Sequence, residues 1–99
     1  MTNRILVTGA VGFIGSSLTD NLLQSDNEVL GVDNFDPYYA RAIKERNIAG
    51  ARQNSKFRLM EGDIRDSSFL ESCFNEFNPD IVVHQCSYDN FQFTIYIFQ

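Results

Sequence analysis

Residues Thr8–Gly15 read Thr-Gly-Ala-Val-Gly-Phe-Ile-Gly, and this stretch decides how the residues on either side of it are interpreted. The apolar run Ile5–Val7 precedes this stretch and is typical of a strand buried on both faces. Ile14, Leu18 and Leu22 then recur at every fourth position, which indicates one face of a helix packed on a sheet. The stretch is therefore a glycine-rich turn between a strand and a helix.

The glycines at positions 9, 12 and 15 suit a phosphate-binding turn. In such a turn one glycine permits the tight bend, one lets a pyrophosphate approach the backbone, and one lets helix and strand pack closely. The helix N-terminus then offers N–H groups and a positive dipole end to the phosphates. No lysine follows the glycines, which argues against an ATP-type phosphate loop. The pattern predicts a dinucleotide site, with a plain structural turn as the alternative.

A carboxylate lies at the position where dinucleotide sites distinguish one cofactor from another. Asp33 closes the second predicted strand, Glu28–Val32, eighteen residues past Gly15. A carboxylate at this place accepts hydrogen bonds from the adenosine ribose and repels a 2′-phosphate. The sequence therefore predicts NAD rather than NADP.

Helices and strands continue to alternate after this point. Turn chemistry at Pro37 precedes a predicted helix from Tyr39 to Ile48, with Gly50 as its stop. The third predicted strand is Phe57–Met60.

The next helix is predicted to begin at Asp66 or at Ser68, the latter forming a capping box with Glu71. Asn78-Pro79 ends this helix, and Ile81–Val83 is a fourth buried strand. This order predicts an α/β fold, a four-stranded parallel sheet flanked by helices.

Residues 88–99 differ in character, with three Phe, two Tyr, two Ile and a single charge, Asp89. Their alternation is strand-like, yet residues 85–90 are too few for the crossover that a parallel neighbour needs. The segment would pair antiparallel, pack irregularly or stay exposed. We expect an irregular aromatic C-terminal tail.

The overall charge excludes some partners. The formal net charge is −5 with no long run of either sign, which argues against nucleic-acid binding. No stretch approaches the ~20 apolar residues of a membrane span, and no signal core is present, so we expect a cytoplasmic protein without membrane contact. Cys73 and Cys86 lack metal-ligand spacing, so we predict no metal site and two reduced thiols.

Three segments together resemble the extended short-chain dehydrogenase/reductase family, namely Thr8–Gly15, Val32–Tyr39 and Gly62–Asp66. Within it they are most similar to the NAD-dependent nucleotide-sugar epimerases and dehydratases, especially UDP-glucuronate 4-epimerases. The resemblance covers Arg4 to about His84. It implies that residues 1–84 are the N-terminal part of a Rossmann NAD-binding domain and that residues 85–99 are a divergent tail outside the family.

The resemblance also implies the cofactor contacts. Around the pyrophosphate it places Gly9, Gly12, Phe13, Ile14 and Gly15. At the adenosine ribose it places Asp33 and Asn34, and at the adenine it places Asp63 and Ile64. The alternative for Asp63 is an ordinary loop aspartate near a helix start.

Two departures from the family pattern limit the expected activity. The family usually has small residues after the fourth strand, and Gln85 and Cys86 put that cofactor contact in doubt. The Tyr-x-x-x-Lys pair that does the family's proton transfer is absent, since no tyrosine has a lysine four positions on. His84 lacks the partners that would orient it as a base, so we predict no catalytic residue.

Three functions stay open at this level. The first is the NAD-binding portion of a nucleotide-sugar epimerase, catalytically incomplete, with UDP-sugar bound only by a complete relative. The second is a free-standing NAD-binding or regulatory module, able to associate with a full-length relative through an open sheet edge. The third is a non-functional truncated product of a frameshift, alternative splice or disrupted gene near Gln85, with an aggregation-prone tail.

Overall fold

A computed structural model of the 99-residue chain describes residues 3–34, 41–86 and 92–97. The predicted turn at Pro37, the start of the second predicted helix at Tyr39 and the tail residues 87–91 and 98–99 lie outside them. The side chains of residues 85, 86 and 92–94 lie outside them as well, so the expected effect of Gln85 and Cys86 on the cofactor contact stays a prediction.

Strands and helices alternate along the described residues. The strands are β1 (Arg4–Thr8), β2 (Glu28–Asp33), β3 (Phe57–Glu61), β4 (Ile81–Cys86) and β5 (Gln92–Ile97). The helices are α1 (Phe13–Gln24), α2 (Arg41–Asn47), α3 (Ala49–Arg52) and α4 (Ser67–Phe77).

The strands form one sheet in the order β3-β2-β1-β4-β5, and the first four run parallel. Leu6 in β1 stands opposite Leu30 in β2 and Val82 in β4. The chain moves from β1 to β3 in one direction and then crosses to β4 on the other side of β1. This reversal between β1 and β4 is a topological switch point, where open α/β sheets bind ligands beyond the carboxyl ends of the strands. The predicted α/β class is confirmed.

The expected irregular tail is wrong for Gln92–Ile97, which form β5. This strand pairs antiparallel with β4, with Cys86 opposite Gln92 and Ile81 opposite Ile97. A short connection cannot make a parallel crossover but readily allows an antiparallel return, so this alternative is the one observed. The sheet therefore has five strands rather than four.

The four parallel strands carry a buried cluster on each face of the sheet, since neighbouring side chains of a strand point to opposite sides. On the α1 and α3 side the buried cluster comprises Ile5, Val7, Ala10, Leu23, Val29, Ala51, Phe57 and Val83. On the α4 side it comprises Leu6, Leu30, Val32, Cys73, Phe77 and Val82. Burial raises the pKa of the Cys73 thiol, and the nearby Glu76 carboxylate adds to the shift.

One helix boundary differs from the sequence-based expectation, and at another the structure selects one of two expected alternatives. Gly50, expected to stop a helix, lies inside α3, because the break comes at Ile48, whose side chain is fully buried in a cluster with Val11. Asp66 is the N-cap of α4, and its Oδ1 accepts hydrogen bonds from the backbone N–H of Ser68 at 3.0 Å and of Phe69 at 3.3 Å. The capping box that starts at Ser68 is therefore wrong, and the alternative at Asp66 is observed.

Candidate dinucleotide-binding site

The glycine turn joins the end of β1 to the start of α1. Gly9 has φ of 66°, in the left-handed region that glycine occupies without strain. Its N–H donates to the carbonyl of Val32 at 2.8 Å, which holds the turn against the end of β2. Gly12 N–H donates to Gly9 O at 3.2 Å, and a Cβ at Gly12 would lie 3.4 Å from that same oxygen. The turn therefore keeps its backbone close together, with no side chain at Gly9 or Gly12 and with Ala10 and Val11 fully buried.

The N-terminus of α1 is open to an anion. Its N-cap is Gly12, which offers no side-chain cap, and the first turn has no acidic residue. The N–H groups of a first turn have no partners inside the helix, and they carry the positive end of its dipole. Gly15 and Ser16 are buried, so α1 begins close to the sheet, whereas Phe13 is 82% exposed. These residues fit the pyrophosphate of a dinucleotide.

Asp33 lies at the carboxyl end of β2, one residue beyond the carbonyl that receives the turn. Its side chain is 9% exposed and faces the ammonium of Lys44 in α2, with Nζ 3.6 Å from Oδ1. The Lys44 side chain is itself only 8% exposed. Asn34 follows Asp33 and is exposed. The predicted ribose ligand is therefore one member of a buried ion pair.

Two further side chains of α2 lie on the same side as Lys44, one turn before it and one turn after it. Arg41 donates from Nη1 and Nη2 to the two carboxylate oxygens of Glu61, the last residue of β3, at 2.7 Å and 3.1 Å. This hydrogen bonding holds the pKa of Glu61 below its usual range. Asn47 donates from Nδ2 to the backbone carbonyl of Val11, inside the glycine turn, at 3.0 Å. Arg41, Lys44 and Asn47, called here the α2 polar stripe, thus connect α2 to the ends of β3 and β2 and to the glycine turn.

The sequence patterns do not predict a role for the α2 polar stripe. The sequence pattern that could indicate the stripe is the recurrence of three polar residues at every third position of a helix. Such spacing is common on solvated helices, and only the fold shows that these side chains meet the sheet.

Asp63 and Ile64 follow β3, beside the end of β2, because Gly62 N–H donates to Asp33 O at 2.9 Å. The Asp63 carboxylate accepts from the backbone N–H of Arg65 at 2.8 Å and from its Nη2 at 2.7 Å. These hydrogen bonds lower the pKa of Asp63 to about 2. Ile64 packs against the buried cluster on the α4 side. Both interpretations of Asp63 stay open, because a carboxylate paired with a neighbour still has acceptor positions to offer an adenine.

His84 in β4 contacts the end of β1, with its Nδ1 2.9 Å from Thr8 Oγ1. The pair lines an open, mainly apolar cavity of about 370 Å³, which Phe74 and Tyr96 also line.

No group of three potential metal ligands occurs among residues 3–34, 41–86 and 92–97. In the same part of the chain, no helix has the length and apolar character that a bilayer crossing requires.

The structure thus brings the predicted segments together at one edge of the sheet. The glycine turn, Asp33 and Asp63 follow three neighbouring strands, β1, β2 and β3, at their carboxyl ends. This strand order, with a glycine turn at the switch point, defines a Rossmann-type α/β protein.

Comparison with known proteins identifies the family. A family model described as GDP-mannose 4,6 dehydratase matches residues 6–87, so the chain belongs to this epimerase/dehydratase family. The family that the sequence motifs predict is confirmed.

Named relatives agree with this assignment. A UDP-glucose 4-epimerase from Mycolicibacterium smegmatis is 38% identical over 81 residues, which are 82% of this chain and 24% of the relative. UDP-glucuronate 4-epimerase 2 from Arabidopsis thaliana is 40% identical over 70 residues, which are 71% of this chain and 16% of the relative.

Among solved structures, the chain is similar to UDP-glucuronic acid 4-epimerase from Bacillus cereus in complex with UDP-glucuronic acid and NAD. The TM-score is 0.73 at 38% identity, covering 82% of this chain and 25% of that one. The chain therefore spans about a quarter or less of the length of these relatives.

Proposed function

We propose that this chain binds NAD at the glycine turn, as the N-terminal NAD-binding portion of a nucleotide-sugar epimerase of the UDP-glucuronate 4-epimerase type. The observation that carries the proposal is the open N-terminus of α1 behind a bare turn at the switch point. Backbone N–H groups aimed outward from a helix dipole bind phosphate without any basic side chain. The complex of the Bacillus cereus relative with NAD supports this choice of ligand.

Each part of the site at the carboxyl ends of the strands has a distinct role in this proposal. The pyrophosphate is held by the turn and the start of α1, through Gly9, Gly12, Phe13, Ile14 and Gly15. The adenosine ribose is held by Asp33 and Asn34, and the adenine by Asp63 and Ile64. When bound, NAD supplies a hydride acceptor and donor for reversible oxidation of a sugar carbon. The residues of this chain bind and orient it.

The negative charge of Asp33 favours NAD over NADP. Asp33 is buried to more than nine-tenths of its side chain, so water screens its charge weakly. A ribose hydroxyl can donate to this carboxylate, whereas a 2′-phosphate meets a negative charge. The 2′-hydroxyl is therefore the group that the site accepts.

The remaining roles belong to the same proposal. We place the NAD-binding portion in residues 1–84 and the divergent tail in residues 85–99. UDP-sugar binding and proton transfer are assigned to complete relatives, because this chain has no Tyr-x-x-x-Lys pair. A cytoplasmic location stays a prediction.

One observation favours a free-standing NAD-binding module as the second candidate. β5 pairs along the outer edge of β4, which is where the next parallel strand of a larger sheet would lie. The sheet thus has its own edge strand on that side. Edge-to-edge pairing with the sheet of a full-length relative would then use the outer edge of β3 or of β5.

Isothermal titration calorimetry with NAD tests the proposal. The wild-type chain is expected to bind NAD saturably at one site. Gly12→Val puts a branched side chain on the bare turn and is expected to abolish the binding heat. Gly50→Ala is the matched control, since a Cβ there meets nothing within 4 Å, and it should bind like the wild type. A folded wild-type chain that produces no binding heat would exclude the proposed function.

A further inference from the structure

The ion pair between Asp33 and Lys44 carries an inference about cofactor choice, which rests on the proposed NAD site. We infer that Lys44 is a specificity-determining residue whose ammonium can hold a phosphate at the adenosine 2′ position. In the wild-type chain the Asp33 carboxylate beside it, 3.6 Å away, neutralises this charge. The preference for NAD is then a property of the pair rather than of Asp33 alone.

Nζ of Lys44 lies beside the carboxylate proposed to receive the ribose hydroxyls, so it lies near the point where a 2′-phosphate would enter. Both side chains are more than nine-tenths buried, and a charge in such surroundings acts more strongly than one in water.

The position of Lys44 does not depend on Asp33 alone. One turn before it, Arg41 is bound to the end of β3, and one turn after it, Asn47 is bound to the glycine turn. These two hydrogen-bonded contacts hold the backbone of α2 on both sides of Lys44. Removal of the carboxylate should therefore leave the ammonium in place.

Asp33 and Lys44 together are neutral, so a phosphate at this point gains little from the lysine while it approaches the carboxylate. Asp33→Ala removes the negative charge and makes room, and the same phosphate then meets a buried ammonium. A charge-assisted hydrogen bond of this kind raises affinity by about ten- to hundredfold.

The experiment compares NAD and NADP binding by calorimetry in four proteins. The wild type should prefer NAD, and Asp33→Ala should bind NADP about ten- to hundredfold more tightly than the wild type does. Asp33→Ala combined with Lys44→Met should lose that gain. Asp33→Ala combined with Arg46→Met should keep it, because Arg46 is an exposed cation on the same helix.

A purely structural role for Lys44 is separated by the choice of methionine. Methionine keeps an unbranched apolar chain, so a packing contribution of Lys44 should survive the replacement, whereas a contribution of its charge should not. If Asp33→Ala fails to fold by circular dichroism, Asp33→Asn takes its place in the same comparison.

Two results separate the inference from the function on which it rests. If the wild type binds NAD but the Lys44→Met double variant binds NADP as tightly as Asp33→Ala alone, the inference is overturned and the NAD site stands. If the folded wild type binds neither nucleotide, the proposed function fails and the inference fails with it.

Discussion

Replacing Gly9 by alanine should destabilise the chain through the backbone alone. Gly9 has φ of 66°, and among the described glycines it is the one with a positive φ. An L-residue held in this left-handed conformation costs about 1–2 kcal/mol, because its Cβ crowds the carbonyl oxygen. The residue cannot relax freely, since its N–H is bound to Val32 O at 2.8 Å. The free energy of unfolding should therefore fall by about that amount.

Gly50→Ala is the matched control, with the opposite expected sign. Gly50 lies in α3 without a positive φ, and a Cβ there meets no atom within 4 Å. Replacing a glycine by alanine at such a compatible position stabilises a protein by about 0.4–1 kcal/mol, mainly by restricting the unfolded chain. The two alanine variants should then differ by roughly 1.4–3 kcal/mol.

Thermal unfolding followed by circular dichroism measures this difference. A domain of this size shifts its Tm by about 4–8 °C per kcal/mol, so Gly9→Ala should melt roughly 6–24 °C below Gly50→Ala. Equal melting temperatures for the two variants would refute the assignment of strain to the turn.

Further predictions concern the α4 side and the loop after β3. Phe77 is 2% exposed, so Phe77→Ala should lower the free energy of unfolding by about 3–5 kcal/mol in urea titrations, and a loss below about 1 kcal/mol would contradict its place in the core. Cys73 is fully buried and its pKa is raised, so it should react with a thiol reagent at neutral pH only after denaturation; prompt labelling of the native chain would count against this. Arg65→Met should raise the pKa of Asp63 from about 2 toward the usual 3.8 in an NMR titration. Because the folded pKa is the lower one, the stability from this carboxylate is present above about pH 4 and is lost as the pH falls through about 2; an unchanged pKa would show that the Arg65 side chain is not the cause of the shift.

The parallel core of the fold follows directly from local patterns in the sequence. β1 and α1 are indicated by an apolar run, three glycines and a stripe of apolar residues at every fourth position, all within a short stretch of chain. The carboxyl ends of parallel strands meet at one edge, so the sequence alone is enough to place Asp33 and Asp63 beside the turn.

The α2 polar stripe could not be predicted in this way, because its contacts are distant in sequence. Arg41 and Glu61 are 20 residues apart, and Asn47 and Val11 are 36 apart. Which strand end each side chain meets depends on how the crossovers place α2. The stripe itself has the same spacing as an ordinary solvated helix face.

The partner of the last strand could not be predicted either, because antiparallel pairing, irregular packing and an exposed segment were all physically possible. The alternation in residues 91–97 indicates a strand but does not select its partner. The outcome depends on the free edge of β4, which accepts an antiparallel neighbour after a short connection. Ile95, Tyr96 and Ile97 remain exposed there, so burial of these side chains does not explain the strand.

The most direct test of the NAD site is to see which backbone amides respond to the cofactor. In two-dimensional NMR spectra of ¹⁵N-labelled chain titrated with NAD, we expect the largest shifts at Gly12 and the first turn of α1, with smaller ones at Asp33 and Ile64. Shifts confined to α4 and β5, or no shifts in a folded chain, would contradict the claim that the glycine turn binds the dinucleotide.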